Sequence, residues 1–518
     1  MRLSLKIFST ITLLTTLLLS VSALLLPIYA STSVESAKWD LEPVSLYYSG
    51  YEKGTEIVSV QQSTLRAVLS NFGTGEVDVL DITKPEKLRR IARFSLGLSQ
   101  GEELTSVAFH PSLDLFAAVV DVGVKRGRLE MRSASTGELV DKVETGFGSD
   151  AVVMSSDGHL VMVANEGEDF WFDQQKKQFF KARGSISIIH LDQNGQVEAN
   201  NNLKLADVTT REGFIIEEKG HFLEVEVDWN GDGKINKQMD FDGNGLIEDK
   251  KVSLGHFEEA EVFGNETKGE RKILIPITSH SPNLLEPEYI AISPDASKAY
   301  VTLQETNEVA VVDLHNEKVM GYYNMGVTEH KADLTDDGWV HFDQSIAALR
   351  EPDGIALTAD GRYFVTADEG DTEASANTAG QTLSGGRTIS VFDAKTGKFV
   401  GDTGNQLDEM AFAHHLYLDS RSGKKGAEPE MLVSCNLEGT PWVAVGMERS
   451  GAVMLVSLAD PEHPKVEALG KIPGEDAKSP EGIAHFMLGE DHYLLTANEM
   501  NGTVAAFKIV RKESGAQH

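Results

Sequence analysis

Glu288-Tyr289-Ile290-Ala291-Ile292-Ser293-Pro294-Asp295, Ala299-Tyr300-Val301-Thr302-Leu303-Gln304-Glu305, Glu308-Val309-Ala310-Val311-Val312-Asp313-Leu314 and Lys318-Val319-Met320-Gly321-Tyr322 follow one another in the chain. Each run is short and rich in Val, Ile, Tyr and Thr, and turn-forming residues separate them, which is the pattern of four successive β-strands. The unit returns as Asp353 to Thr358, Tyr363 to Glu369, Thr388 to Asp393 and Lys398 to Gly401. Further copies begin at Asp150, Glu430 and Glu481, and weaker ones at Glu56 and Ser106.

A four-strand unit cannot bury both of its faces alone, whereas units stacked radially bury each other. Long stretches with helical apolar spacing are absent, so the reading is all-β. The copies near residues 56, 106, 150, 288, 353, 430 and 481 predict a seven-bladed β-propeller occupying residues 39–518 as a single domain. The stretch Trp39 to Ser49 is expected to supply a strand that closes the ring against the last blade. Residues 192–283 separate the third and fourth copies, too many for a loop, and read as a charged insertion.

The strings Ala164-Asn165-Glu166-Gly167, Glu286-Pro287-Glu288-Tyr289 and Ala367-Asp368-Glu369-Gly370-Asp371 resemble the choice-of-anchor I family. So do Glu428-Pro429-Glu430, Glu448-Arg449, Pro480-Glu481-Gly482 and Ala497-Asn498-Glu499. That group comprises exported bacterial propellers, also described as alkaline-phosphatase-like or mesenchyme-specific cell-surface glycoprotein-like, with YVTN-like repeats. The resemblance implies the fold and export; it implies no defined chemistry. No C-terminal anchor of the kind common in the family is evident after the last strand.

Residues 1–30 read as an export signal: Arg2 and Lys6, an apolar run from Ile7 to Leu26, and a small-residue cleavage site at Ala30 before Ser31. An uncleaved anchor is the rival reading, since the run nearly reaches spanning length. No second such run follows, so the mature chain is expected to be soluble, without a transmembrane segment, in the periplasm or secreted. With 80 Asp and Glu against 47 Lys and Arg, the formal charge is −33. That charge excludes nucleic acid as a partner and favours cations. The single Cys435 excludes an internal disulfide and multi-Cys metal sites, and reads as a buried strand residue.

In each copy a polar residue opens the first strand and another closes the second. The pairs are Glu56 with Asn71, Ser106 with Asp121, Asp150 with Asn165, Glu288 with Gln304, Asp353 with Asp368, Glu430 with Glu448 and Glu481 with Asn498. Antiparallel pairing brings each couple to one end of its blade, and the blades bring all couples to one mouth of the channel. Glu166, Glu305, Glu369, Glu448 and Glu499 add acids there. Crowded carboxylates raise one another's pKa or recruit a cation, and an all-oxygen set favours Ca²⁺ or Mg²⁺. Backbone capping by the same residues is the plainer alternative. Arg183, Arg387 and Arg449 fall near this end, either to pair with the acids or to hold an anion.

Asp228-Trp229-Asn230-Gly231-Asp232-Gly233-Lys234-Ile235-Asn236 carries alternating oxygen ligands with a glycine at the sixth place. Asp240-Phe241-Asp242-Gly243-Asn244-Gly245-Leu246-Ile247-Glu248 repeats it. Met239 and Lys251 stand where a closing bidentate Glu would be, so the pattern is a tandem calcium repeat and not a paired EF-hand. Two functions follow from these residues. One is an exported calcium-binding propeller that takes a cationic or protein ligand at its acidic mouth. The other is a calcium-dependent phosphoester hydrolase of alkaline-phosphatase-like or phytase-like type, with Glu288, Asp353, Glu430, Glu481 and Arg449 as candidate catalytic groups.

Overall fold

The computed structural model describes residues 38–51, 54–167, 170–173, 178–181, 184–205, 208–219, 222–227, 252–254, 262–263, 271–278, 285–370, 382–474 and 479–512. Trp39 onward forms one compact unit. Its second strands show why the sequence reads as it does. Leu160–Asn165 is buried at every position, and Arg66–Asn71 at all but its first. Such strands are covered on both faces, so they are continuously apolar and do not alternate. The outermost strands, such as Arg89–Ser95, are exposed and carry the charges.

Seven four-stranded antiparallel sheets result, confirming the seven-bladed propeller. Blades 1 to 7 have first strands or strand starts at Thr55, Glu103, Ser149, Pro287, Ile355, Pro429 and Pro480. The last blade takes its fourth strand from Trp39–Tyr48, which pairs antiparallel with Thr503–Arg511, so the expected closing strand is present. A separate apolar cluster fills each gap between neighbours. Leu69 and Leu80 of blade 1, for instance, pack with Leu495 and Val504 of blade 7. Cys435 sits in the cluster between blades 6 and 7, its thiol pushed by burial up to about 12.

The interruption between blades 3 and 4 starts later than residue 192. Val197–Lys204 is the fourth strand of blade 3, paired with Ser185–Leu191. Its polar sequence, Val197-Glu198-Ala199-Asn200-Asn201-Asn202, disguises a solvent-facing outer strand as part of the insertion. Beyond it, Val208–Lys219, Phe222–Val227, Val252–Leu254, Val262–Phe263 and Arg271–Thr278 form a five-stranded sheet of their own. Two additions near blade 5 carry no repeat signature. The hairpin Val327–Ala332 with Gln344–Leu349 pairs with Thr382–Leu383, and a helix, Gln406–Ala413, precedes blade 6.

The closing strand ties the chain's first described residues to its last ones. Leu41, 4% exposed, packs with Phe507 in the seam between blades 6 and 7. Leu41→Ala should cost about 2–5 kcal/mol in chemical denaturation. Retention of full stability would show that the ring holds without this strand.

Candidate metal centre at the channel mouth

A bulge in the first strand of the blades creates the site. In blade 4 the pairing runs Pro287 with Leu303 and then jumps to Ile290 with Val301. The same break follows Thr55, Ser149, Pro429 and Pro480. The residue just after each anchor is therefore released from the ladder: Glu56, Asp150, Glu288, Glu430 and Glu481. A bulge re-aims a side chain, and here it aims a carboxylate at the propeller axis. Asp353 occupies the same place in blade 5, after Pro352, with its N–H donating to the Ala367 carbonyl at 2.9 Å.

This register corrects three of the expected couples. In blade 2 Asp121 pairs with Glu103, and the bulged position is Thr105, not Ser106. The Thr105 hydroxyl donates to the Ser149 and Asp150 carbonyls at 2.8 and 3.0 Å, so blade 2 contributes no acid to the inner ring. Gln304 and Glu448 lie one position beyond the true strand ends, Leu303 and Met447. They belong to an outer set with Glu166, Glu369 and Glu499.

The true strand ends do the capping work. Asn165 Oδ1 accepts from the Gly146 N–H and the Ser149 hydroxyl, while Nδ2 donates to the Ser185 carbonyl and Ser187 hydroxyl. Asn498 donates to Thr503, and Asp368 accepts from the hydroxyls of Thr366, Thr388 and Ser390. These fully buried groups fasten the hairpins and do not line the cavity at the mouth.

Inner and outer sets together wall a cavity of about 220 Å³, lined by Asp150, Glu166, Glu288, Tyr289, Gln304, Glu305, Asp353, Glu369 and Glu430. Asp150, Glu166 and Glu288 can each offer an oxygen with all three within 4.8 Å of one another, and Asp353, Glu369 and Glu430 can do the same. Glu428 joins Glu369 and Glu448 in a third such group. Gly354 and Gly482 let the ring tighten. A Cβ on Gly354 would lie 2.7 Å from the Glu430 carbonyl, and one on Gly482 2.6 Å from the Glu56 carbonyl. Neighbouring bulges thus meet backbone to backbone, which only glycine allows.

The carboxylates touch the cavity but lie deep in protein, and burial is the first cause of every upward shift. Burial, then Asp121, pushes Asp150 up to about 6. Asp353 rises to about 7, chiefly by burial, with Glu369 and Asp150 adding to it. Burial followed by Glu448, Glu499, Asp353 and Glu56 takes Glu481 to about 9. Glu288 and Glu430 are held well above the carboxylate range by burial and by acids of neighbouring blades. Glu56 rises through burial, Asp150 and Glu499, which brings blades 1, 3 and 7 into the same field. The Tyr289 phenol is raised by burial and then by Asp353, Asp150, Glu430 and Glu481. Tyr289 itself lines the cavity. Asp353 shares a hydrogen bond with Glu430, which holds the proton, while Glu56 Oε2 is buried without a hydrogen-bond partner.

Cations engage the outer acids of blades 5 and 6. Lys425 Nζ sits 2.7 Å from Glu369 Oε1. Arg449 pairs with Glu428 at 2.9 Å and Glu448 at 2.6 Å, and Arg421 also engages Glu428. Arg387 does not pair with the ring. Fully buried, it donates to the carbonyls of Asp333, Ser422 and Lys424 and lies 3.5 Å from Asp408, thereby holding the loop that carries Lys425. Arg183 and the calcium-repeat residues Asp228, Asn230, Asp232, Asn236, Asp240, Asp242, Asn244 and Glu248 lie outside the described residues. The repeats fall between Phe222–Val227 and Val252–Leu254, which pair antiparallel.

Fold and mouth together define a β-propeller whose axial opening is a crowded carboxylate cavity. The choice-of-anchor I domain matches residues 56–384 and 373–461, and the chain belongs to that family. No curated protein matches the chain. Among solved structures it is similar to the Myceliophteria thermophila Cps50 (Swd1) β-propeller domain, at 8% identity and a TM-score of 0.47, covering 91% of this chain and 100% of that one. It is similar to Saccharomyces cerevisiae Sqt1 at 8% identity and a TM-score of 0.45, covering 90% and 99%. The C-terminal WD40 domain of Sif2 matches at 11% identity and a TM-score of 0.44, covering 91% and 99%.

Raised carboxylate pKa values make stability depend on pH. A group whose pKa is higher in the folded state binds protons more tightly there, so its contribution is complete below the unfolded value, near 4, and is lost as pH rises through the folded one. With Asp150 at about 6, Asp353 at about 7 and Glu481 at about 9, metal-free protein should lose melting temperature steadily between about pH 4 and pH 9. Glu481→Gln should flatten the alkaline part of that decline. An unchanged slope in chelator would mean that Glu481 is solvated.

Proposed function

We propose that this chain is an exported binding module of the choice-of-anchor I family that holds a hard divalent cation, of the calcium class, at its channel mouth. The observation that carries the reading is the cavity itself. Carboxylates from blades 3, 4, 5 and 6 line it, among them that of Asp353, a residue only 5% exposed, beside Glu430 and Glu369. Leaving several such groups together in low dielectric is costly unless protons or a cation compensate them. Asp150, Glu166 and Glu288 form the proposed ligand set, since burial, Glu166, Glu305, Asp353 and Asp150 all act on Glu288 in one direction. An oxygen-only set of flexible carboxylates suits Ca²⁺, which accepts six to eight ligands, some of them water.

Export is supported by the apolar segment at residues 7–26 and by the family. Among the described residues, no helix is long and apolar enough to cross a membrane. The tandem repeat at residues 228–248 supports additional calcium in the interruption between blades 3 and 4. Phosphoester hydrolysis would need a cation poised for the phosphoryl oxygens. Arg449 is committed to Glu428 and Glu448, and Arg387 to backbone carbonyls, so a hydrolase would have to rely on the bound divalent ion itself. The binding reading, which needs no further group, is preferred.

Calorimetric titration of the chelated protein with Ca²⁺ tests both parts. Glu288→Gln should weaken the mouth site at least tenfold while leaving the other calcium bound. Asp232→Ala with Asp242→Ala should remove calcium from the tandem repeat and spare the mouth. Calcium binding indifferent to Glu288→Gln would contradict the mouth assignment; stoichiometry unchanged in the double variant would contradict the repeat. Phosphoesterase activity that falls with Glu288→Gln and disappears in chelator would instead establish the hydrolase.

A further inference from the structure

Blade 7 carries a group of nitrogen and sulfur donors away from the mouth. Its first hairpin pairs Met487 with His492 and His485 with Leu494, and partners in an antiparallel pair point to the same face. Side chains alternate along a strand, so His485, Met487 and His492 share one face with Ile483 and Leu494, which belong to the apolar seam between blades 6 and 7. Phe486 and Tyr493 take the opposite face, toward blade 1. Glu481 opens the same strand at the mouth, so this group lies about 20 Å away, at the far end of the hairpin.

The donors converge. His485 Nε2 and His492 Nδ1 are 2.9 Å apart, and their stacked rings lie 5.2 Å between centroids. Met487 stands opposite His492, with its N–H and carbonyl held by the Gln62 side chain of blade 1, both at 2.8 Å. Backbone groups directed away from the partner strand mark a non-hydrogen-bonded pair, the kind in which side chains stand closer. Met487 is 37% exposed, an apolar side chain left outside the core. Burial pushes His485 down to about 4, with His492 adding to it, and lowers His492 as well, so a metal ion meets neutral imidazoles. Asp491, next to His492 in the chain, is taken by Lys508 at 2.8 Å.

Two imidazole nitrogens 2.9 Å apart, each about 2.0 Å from one ion, subtend about 90° there. That is the angle of a tetragonal site, whereas a tetrahedral ion needs its ligands farther apart. Imidazole together with a thioether suits copper among the first-row metals, and tetragonal nitrogen donors suit Cu²⁺. We propose that His485 Nε2, His492 Nδ1 and the Met487 thioether bind one copper ion at the end of blade 7 remote from the acidic mouth. Without the ion, one nitrogen donates to the other. With it, each ring carries its proton on the outer nitrogen and turns the inner lone pair to the metal. This site does not depend on a cation at the mouth.

The test is Cu²⁺ titration of the calcium-saturated full chain against glycine as a competing ligand, read by electron paramagnetic resonance. One ion should be retained, with hyperfine splitting from two imidazole nitrogens. His492→Phe keeps a stacked ring without a donor; it should abolish that splitting and weaken binding about tenfold or more. Met487→Leu should keep the Cu²⁺ spectrum but weaken Cu⁺, measured by competition with a chromogenic chelator. No ion retained against glycine, or a spectrum unchanged in His492→Phe, overturns the site. Unchanged Cu⁺ affinity in Met487→Leu overturns the place of the thioether in it. Should His492→Phe fail to fold, the unaltered chain decides alone: two-nitrogen splitting supports the proposal, and splitting from one nitrogen or none contradicts it.

Discussion

Like charges buried around one axis are the constraint on which this structure turns. Each blade is stabilised by packing between apolar faces, which says nothing about what its inner end should carry. Bulges at the start of the first strands nevertheless release an acid toward the axis in blades 1, 3, 4, 6 and 7. Radial symmetry then concentrates what each blade does singly. Glycines 354 and 482 bring adjacent bulges into backbone contact and so prevent the acids from spreading apart. Separation being closed off, the repulsion is met by protons, by the cations of blades 5 and 6, or by a ligand.

The response is uneven around the ring, and the unevenness comes from additions to the repeat. Blade 2 substitutes Thr105, whose hydroxyl ties down the backbone of blade 3. The segment between blades 5 and 6 contributes Arg421 and Lys425, which neutralise part of the outer set. Arg350 clamps the small sheet beside blade 5, pairing with Asp402 at 2.7 Å and stacking over Phe399. A scaffold of repeated blades thus carries a site whose blade 5 and 6 acids are paired with Lys425, Arg421 and Arg449.

Much of this was legible in the residues. Middle strands covered on both faces produce the long Val, Ile and Ala runs, so blade number and order could be read directly. So could the closing strand at Trp39. The acids opening the first strands, Glu288, Asp353, Glu430 and Glu481, could be read as gathering at one mouth. That each follows a proline, which cannot donate to the ladder and sits well at a bulge, became meaningful only with the register known. What could not be read was the register. Counting from strand starts treated Gln304 and Glu448 as equivalents of Asn165, although they lie one residue farther out. The fourth strand of blade 3 was hidden by its polar, solvent-facing sequence. Lys425 lay in a segment without periodicity, and only three-dimensional folding brings it to Glu369, 56 residues earlier in the chain.

The central claim is that the mouth holds a hard cation between Asp150, Glu166 and Glu288. Anomalous diffraction from crystals grown with Tb³⁺ or Mn²⁺ in place of Ca²⁺ tests it most directly. The account predicts an anomalous peak among these three carboxylates, about 2.2–2.6 Å from one oxygen of each. Crystals showing anomalous density in the segment 228–248 but none at the mouth would contradict it.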